Sequence, residues 1–436
     1  MQPTAIQIVK TLQKAGYEAH FAGGCVRDLL LKHEPKDFDI VTSAKPDEIE
    51  KLLKKTIPVG KKFGVILAIK NGHHFEVATF RSDSGYSDGR RPDAVTFTTS
   101  KEDAFRRDFT INGIFYDPVA KKIIDYVGGQ KDLEARLIRF IGNPHERILE
   151  DHLRILRAVR FKNVLDFQYE PSTYTALHKH ASLLIDKVSA ERIRDELNKM
   201  ILSKNAVAAL QDLEDIGALK IILPEIEKMK GVAQPYQYHQ EGDVWTHAMQ
   251  ALGSLPDDAP LTLRWATLLH DIGKPETFKL AERIRFDHHD RASRDIARKI
   301  LTRLHCENKL IDEVCWLVEH HMTVIAFAKM SAGRRMHWFL HPYFPNLLRL
   351  FEADAKGTTP QHLEFLEDLK KLFKSSIKKM PHPPPPLLHG QDIMKILKIP
   401  AGPRVGEVLE QLREKQLGGE LKTKKQALTW LELIGN

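Results

Sequence analysis

The sequence predicts an α+β protein, a small head built on a mixed sheet followed by a mostly helical neck, body and tail. Three observations carry this. Strand and helix signals alternate from about residue 18 to 140, an Asn71-Gly72 pair separates two β-branched and aromatic runs, and helical spacing dominates from about 145 onward. The opening segment places Ile6, Val9 and Leu12 at helical spacing with Lys10 and Lys14 between them, which fits neither a signal peptide nor an anchor. Glu18 to Ala22 reads as a strand, Cys25 to Leu31 as a helix, Asp37 to Val41 as a strand, and Pro46 to Lys55 as a helix opened by proline. GVILAIKNGHHFEVATF is then a hairpin about a type I′ turn, with Glu76 on its second arm. The expected divisions are a head over 1–140, a neck over 141–205, a body over 206–378, a proline-rich linker over 379–390 containing MPHPPPPLLHG, and a small basic helical tail over 391–436.

A chain of 436 residues exceeds one ordinary core and suggests two to four domains. The net charge of +8 favours a polyanionic partner, for which nucleic acid is the natural candidate. Cys25, Cys306 and Cys315 are far apart and form no Cys-x-x-Cys pair, so neither a disulfide framework nor a thiolate zinc site is indicated. No run of about twenty apolar residues occurs, which argues against a membrane span. A cytoplasmic protein is expected.

The chemistry concentrates in FAGGCVRDLLLKHEPKDFDI, residues 21 to 40. In a strand, residues i and i+2 share a face, so Asp37 and Asp39 would stand side by side, and two adjacent carboxylates call for a cation between them. The Gly23-Gly24 turn ahead of them offers backbone N–H groups at a helix N-terminus, suited to phosphate. Glu76 would bring a third carboxylate toward the pair. SDSGYSDGRRPD, residues 82 to 93, is a long polar loop ending near Arg90 and Arg91, and FRRDFTIN, residues 105 to 112, supplies Arg106, Arg107, Asp108 and Asn112. Guanidinium forks suit triphosphate oxygens.

EDHLRILRAVRF, from Glu150 to Phe161, is expected to form one helix with Ile155, Leu156 and Val159 on the packed arc and Arg154, Arg157 and Arg160 on the opposite one. At i and i+3, Asp151 would then set an acceptor beside the Arg154 donor. Cytosine and adenine each present an exocyclic amine beside an accepting ring nitrogen, whereas uracil and guanine present the reverse. An Asp-Arg pair therefore satisfies C and A and leaves U and G mismatched, with no nucleic-acid template needed.

GGCVRD, DFD, the RRP loop end, RRDFTIN and EDHLRILRAVRF, in this order, resemble the motifs of class II RNA nucleotidyltransferases, the group of tRNA CCA-adding enzymes and bacterial poly(A) polymerases. The resemblance covers residues 20 to 200. It implies a head of the DNA polymerase β type, with Asp37 and Asp39 as magnesium ligands. It further implies that Gly24, Arg27 and Arg107 contact the incoming nucleotide. Asp151 and Arg154 would read the base edge, with Arg157 and Arg160 completing the pocket. ERIRDEL, residues 191 to 197, matches a neck motif that braces the helices. INGIFYDP departs from the family, which more often has Ala and Met after the Asn; both changes look like packing.

A second constellation lies in the body: His247, the pair His270-Asp271 in LLHDIGKP, His288-His289, His320-His321, and Asp354 in FEADAKG. Imidazoles and carboxylates together suit a divalent transition metal such as nickel, manganese or iron. The ordered series is similar to the HD phosphohydrolase motif, with His247, His270, Asp271 and Asp354 as matching ligands. His289 with His320 or His321 would complete a second metal position. Some bacterial CCA-adding enzymes carry such a domain, so the resemblance implies CCA addition to the tRNA 3′ end from CTP and ATP, joined to hydrolysis of 2′,3′-cyclic phosphates or phosphate ends. The alternatives are a poly(A) polymerase, a partial A- or CC-adding enzyme, or, in a different class, a phosphohydrolase whose vestigial head only binds RNA.

Overall fold

The computed structural model describes every residue except 85–93, 185–187, 362 and 436. The chain divides into two compact units, Met1–Pro224 and Glu225–Asn436.

In the first unit, strands β1 (Ala19–Ala22), β2 (Asp39–Thr42), β3 (Thr56–Gly60), β4 (Val65–Lys70) and β5 (His73–Thr79) come first. A two-stranded ribbon of β6 (Arg81–Ser84) and β7 (Ala94–Phe97) follows, and then β8 (Phe115–Asp117) and β9 (Lys122–Ile124). The main sheet runs in the order β3-β4-β5-β2-β1-β8-β9 and is mixed: β2 and β5 pair in parallel, and its other neighbours are antiparallel. The helix Gln2–Lys14 lays Ala5, Ile8, Val9 and Leu12 into a core shared with Phe21, Ile40, Phe75 and Val77. Its apolar spacing is what buries it. The hairpin turn is as expected, with both Asn71 and Gly72 at positive φ (52° and 75°), the signature of a type I′ turn.

Several expected boundaries move. The second strand starts at Asp39, so Asp37 belongs to the segment ahead of it; the side-chain alternation survives, because Phe38 between them is buried. Of the expected loop, 82–84 belongs to β6, while the rest, with Arg90 and Arg91, lies outside the described residues. The single helix expected from Glu150 to Phe161 is two: Pro144–Glu150 and Arg154–Leu165. Asp151 is extended between them (φ −146°, ψ 104°), and its Oδ1 accepts from Leu153 N–H at 3.1 Å, a local bond that competes with helix continuation. Helices Pro171–His180, Ala190–Ile201 and Ala206–Asp215 follow in the same unit.

The second unit is helical as expected, with one addition, a small antiparallel hairpin of Phe278–Leu280 and Ile284–Phe286. Its three-residue arms are too short to leave a period in the sequence. Helix His289–Arg303 packs against the turn after Asp271, where Gly273 leaves room for it: a Cβ on Gly273 would meet Ser293 N at 2.5 Å and His289 O at 2.7 Å. Residues 380–389 contain neither helix nor strand, and helices Gly390–Leu397, Pro403–Leu417 and Lys424–Gly435 gather around their own core of Ile393, Val408, Leu412, Ala427 and Leu431. Among the described residues, no helix is long and apolar enough to cross a membrane.

Candidate functional site

The first unit holds a cavity of about 540 Å³ lined by Gly23, Gly24, Arg27, Asp37, Asp39, Arg107, Asn112, Asp151, Arg154, Arg157 and Arg160, together with Arg81, Arg106, Asp108 and Phe161. The cavity thus gathers residues that lie more than a hundred positions apart in the chain. β1 leads into Gly23, whose backbone (φ 71°, ψ −135°) belongs to glycine, and which N-caps the helix Gly24–Leu30. A Cβ there would stand 3.4 Å from Arg107 Nη1 and 3.8 Å from Asp39 Oδ2, so the missing side chain also keeps this corner open. Glu76 of β5 stands next to Asp39 across the parallel strands, one step before the Ile40–Val77 pair, and is itself exposed rather than part of the cavity lining.

Burial, and then the charges of Asp37 and Glu76, push Asp39 up to about 6 against the pull of Arg107. A carboxylate that resists ionisation in this way lacks positive charge. Asp37 and Asp39, which both line the cavity, therefore suit a divalent cation, which would supply it, while Glu76 adds its charge from outside the lining.

Most of the arginines that line the cavity are fixed by an acid, whereas Arg81 donates to the Phe63 carbonyl. Arg27 donates to Asp28 Oδ1 (2.7 and 3.0 Å) and to Asn112 Oδ1 (2.9 Å), and Asn112 in turn donates to Asp108 Oδ1 (3.1 Å). Arg106 and Arg107 share the fully buried Asp103, at 2.8 and 3.0 Å. Arg157 donates twice to Asp108, at 2.8 and 2.6 Å, and Arg160 reaches Glu196 at 2.5 Å. Beneath them lies the Phe161 ring, with the guanidinium carbons of Arg160, Arg27 and Arg157 at 4.0, 5.2 and 5.3 Å from its centre. Sequence reasoning missed Asp103 and the use made of Phe161. Asp103 stands three and four residues before Arg106 and Arg107 on a short helix, a spacing that could have revealed it.

The expected Asp151–Arg154 pair is not formed. Asp151 Oδ2 accepts from Arg192 at 2.8 Å, and Arg154 donates to Glu150 and to Arg147 O, both at 2.6 Å. With the helix broken at Asp151, the two side chains take different partners, yet both still line the cavity. Arg192 and Glu196, both in ERIRDEL, brace Asp151 and Arg160 respectively.

The second unit brings the histidine series together. His247 Nε2 lies 3.2 Å from His270 Nε2 and 3.0 Å from Asp354 Oδ1, and His270 Nε2 lies 3.3 Å from Asp271 Oδ2. The other oxygen of Asp271 faces His289 Nε2 at 3.4 Å and His321 Nε2 at 3.7 Å, and those two nitrogens are 3.3 Å apart. Asp271 therefore bridges two clusters. Of the two histidines considered for the second, His321 is the one present; His320 instead packs edge to face with Trp316 and Trp338.

In each imidazole the far nitrogen is engaged. Nδ1 of His270, His289 and His321 donates to the carbonyls of Thr267, Phe286 and Val318 at 2.8, 2.9 and 2.7 Å, and His247 Nδ1 meets Glu241 Oε1 at 3.0 Å. Protons on Nδ1 leave the Nε2 lone pairs facing one another, an arrangement that suits metal ions. Burial opposes a charge on His247, yet Asp354 and Glu241 raise it to about 9, so its surroundings favour positive charge there. Lys274 Nζ, 2.6 Å from Asp271 Oδ2, and Glu241 were not anticipated.

Residues 19–139 match the poly A polymerase head domain, 166–230 the probable RNA and SrmB-binding site of polymerase A, and 243–354 the HD domain. Such head and HD domains are generally metal-dependent. The chain is 33% identical to the CCA-adding enzyme of Geobacillus thermodenitrificans over 437 residues, covering 98% of this chain and 96% of that one. It is 35% identical to the A-adding tRNA nucleotidyltransferase of Deinococcus radiodurans over 348 residues, covering 76% and 79%. It spans about half the length of several other curated CCA-adding enzymes that it matches. Among solved structures it resembles the Bacillus stearothermophilus CCA-adding enzyme in complex with CTP, with a TM-score of 0.75 and 28% identity over 99% of this chain and 97% of that one. With three domain models matched in order and one relative covered almost end to end, the chain belongs to the RNA nucleotidyltransferase family of CCA-adding enzymes and poly(A) polymerases.

Proposed function

We propose that this protein is a cytoplasmic, template-independent tRNA nucleotidyltransferase that adds or repairs the 3′-terminal CCA from CTP and ATP. The observation that carries this reading is the cavity in which Asp37 and Asp39 face an arginine set and the base-reading candidates Asp151 and Arg154. The RNA 3′ oxygen bonds to the α-phosphorus, the α–β bridging bond breaks, and pyrophosphate leaves, with no covalent enzyme intermediate. Magnesium held by Asp37 and Asp39 would activate the 3′ hydroxyl and steady the leaving pyrophosphate. Arg27 and Arg107 bind triphosphate oxygens. Asp151 keeps lone pairs beyond those taken by Arg192 and Leu153 N–H, enough to accept from an exocyclic amine, while Arg154 donates to the ring nitrogen.

The second site is proposed to be a phosphohydrolase acting on 2′,3′-cyclic phosphates or phosphate ends that block addition to a tRNA. His247, His270, Asp271 and Asp354 would hold one divalent metal (nickel, manganese or iron), and Asp271, His289 and His321 a second, supplying an activated water. Opening of a cyclic phosphate forms one P–O bond from water and breaks one ester P–O bond, and the water proton passes to the ribose oxygen released.

Incubation with magnesium, each labelled NTP, and tRNAs that lack CCA, end at CC or end at CCA tests the first reading. Addition of two C and one A, stopping there, is expected. Incorporation of A alone into any RNA would sink the CCA reading in favour of a poly(A) polymerase or an A-adding enzyme. Asp39→Asn is expected to abolish transfer and spare hydrolysis; equal loss of both would contradict two separate sites.

A further inference from the structure

We propose that the HD cavity is built for the 3′-terminal nucleoside of an RNA, with the base in an apolar lobe and the adjoining backbone phosphate on the hairpin 278–286. This rests on the phosphohydrolase reading of the same site and adds what that site recognises.

The cavity measures about 780 Å³, within the range of about 300–1,000 Å³ typical of pockets for whole organic ligands and far larger than a phosphate group needs. Its floor carries Asp271, His289, His321 and Asp354. One part of the remaining lining is apolar: Phe351 and Phe365, with rings edge to face at 6.4 Å and 88°, then Phe286, Met322 and Ile325. Ile325 is 59% exposed and Met322 42%, so folding does not account for this surface. A flat aromatic group seated there would cover it, and a nucleobase is the flat aromatic group that comes attached to a ribose phosphate.

The hairpin forms another wall and ends in the Phe286 segment that holds His289. It presents Arg283 and Arg285, both exposed. Arg285 is tied to Asp287 at 2.9 Å, whereas Arg283 makes no ion pair among the described residues. Two guanidinium groups at the lip suit a second phosphate, the one that links a terminal nucleotide to the rest of a strand. Depth selects an end: His247 and His270 are fully buried and Asp271 nearly so, so a terminal phosphate reaches them more readily than one inside a duplex.

The test uses the full-length protein supplied with manganese or nickel and three substrates. These are an RNA ending in a 2′,3′-cyclic phosphate, free adenosine 2′,3′-cyclic phosphate, and 1-O-methylribose 2,3-cyclic phosphate, which lacks a base. Stacking of one base supplies roughly 1–3 kcal/mol, which is about five- to 150-fold. We expect kcat/KM to fall about tenfold or more on loss of the base. Phe351→Leu and Phe365→Leu should lower it on the two base-bearing substrates only. Arg283→Ala with Arg285→Ala should lower it on the RNA only. Calorimetric titration of adenosine 2′-phosphate, in an Asp151→Ala, Arg154→Ala background that disables the head pocket, should weaken in the two Phe variants.

Equal hydrolysis of all three substrates overturns the base lobe and leaves the hydrolase reading intact. Equal rates on RNA and free nucleotide, with silent arginine variants, identify a free nucleotide as the ligand and overturn the RNA-end proposal. If no substrate is hydrolysed with either metal, the hydrolase reading fails; the titration then decides the base lobe alone, and unchanged binding in the Phe variants overturns it.

Discussion

Asp108 holds Arg157 directly, and Arg27 through Asn112, in the arginine row of the head cavity. Burial would raise its pKa, but the Arg157 charge, followed by hydrogen bonds from Asn112, Arg157 and Phe109 N–H, holds it well below the usual carboxylate range. A depressed folded-state pKa stabilises the fold fully above the unfolded value, about 4, and is lost as pH falls through the folded one. Asp108→Asn should therefore lower Tm clearly at pH 7, with a loss that begins to shrink below about pH 4 and is still substantial near pH 3, read from thermal melts across pH; a loss that does not shrink at the acid end would refute the ion-pair account. Phe161 works differently, offering ring faces to three like charges. Cation–π contacts contribute about 0.5–1 kcal/mol each at exposed sites and more when desolvated. Phe161→Leu should raise KM for CTP and ATP several-fold with kcat little changed, and Phe161→Tyr should restore it. Steady-state kinetics decide this, and an unchanged KM in the Leu variant would show that the ring merely fills space.

The helix His289–Arg303 carries one histidine of the second His-Asp cluster, and its closeness to the turn after Asp271 depends on Gly273 having no side chain. Gly273→Ala would force that helix outward, at a cost of about 1–3 kcal/mol for overpacking. Its expected signature is loss of bound transition metal and of phosphohydrolysis with nucleotide addition retained, measured by metal analysis and the two assays. The broken helix at Asp151 teaches a related point. Periodicity placed Ile155, Leu156 and Val159 correctly in the core, because the 3.6-residue repeat operates within the helix that does form. It could not see that the Asp151 carboxylate would bond Leu153 N–H and end the preceding helix. The hairpin 278–286 escaped for a different reason: its arms are too short and too exposed to imprint a pattern.

Two compact units each hold a cluster of ionisable side chains, and the two activities proposed for them should fail separately. His270→Ala should abolish hydrolysis without slowing CCA addition, the mirror image of Asp39→Asn. The net charge of +8 adds a property of the molecule as a whole. Binding of a polyanion by many Lys and Arg contacts releases counterions, so tRNA affinity should fall by orders of magnitude between about 50 and 200 mM salt. A filter-binding series checks this, and a flat salt response would argue against an electrostatic tRNA footprint.

By itself the sequence determined the α+β order, the hairpin, the family and most of the residues that line the head cavity, because these depend on local period, turn chemistry and motif order. Only the tertiary structure decided which acid holds which arginine, that His321 rather than His320 joins His289, and that Asp271 serves two clusters at once. Those are choices among residues of the same chemistry, separated along the chain by tens of positions. They are settled by where packed elements place the side chains.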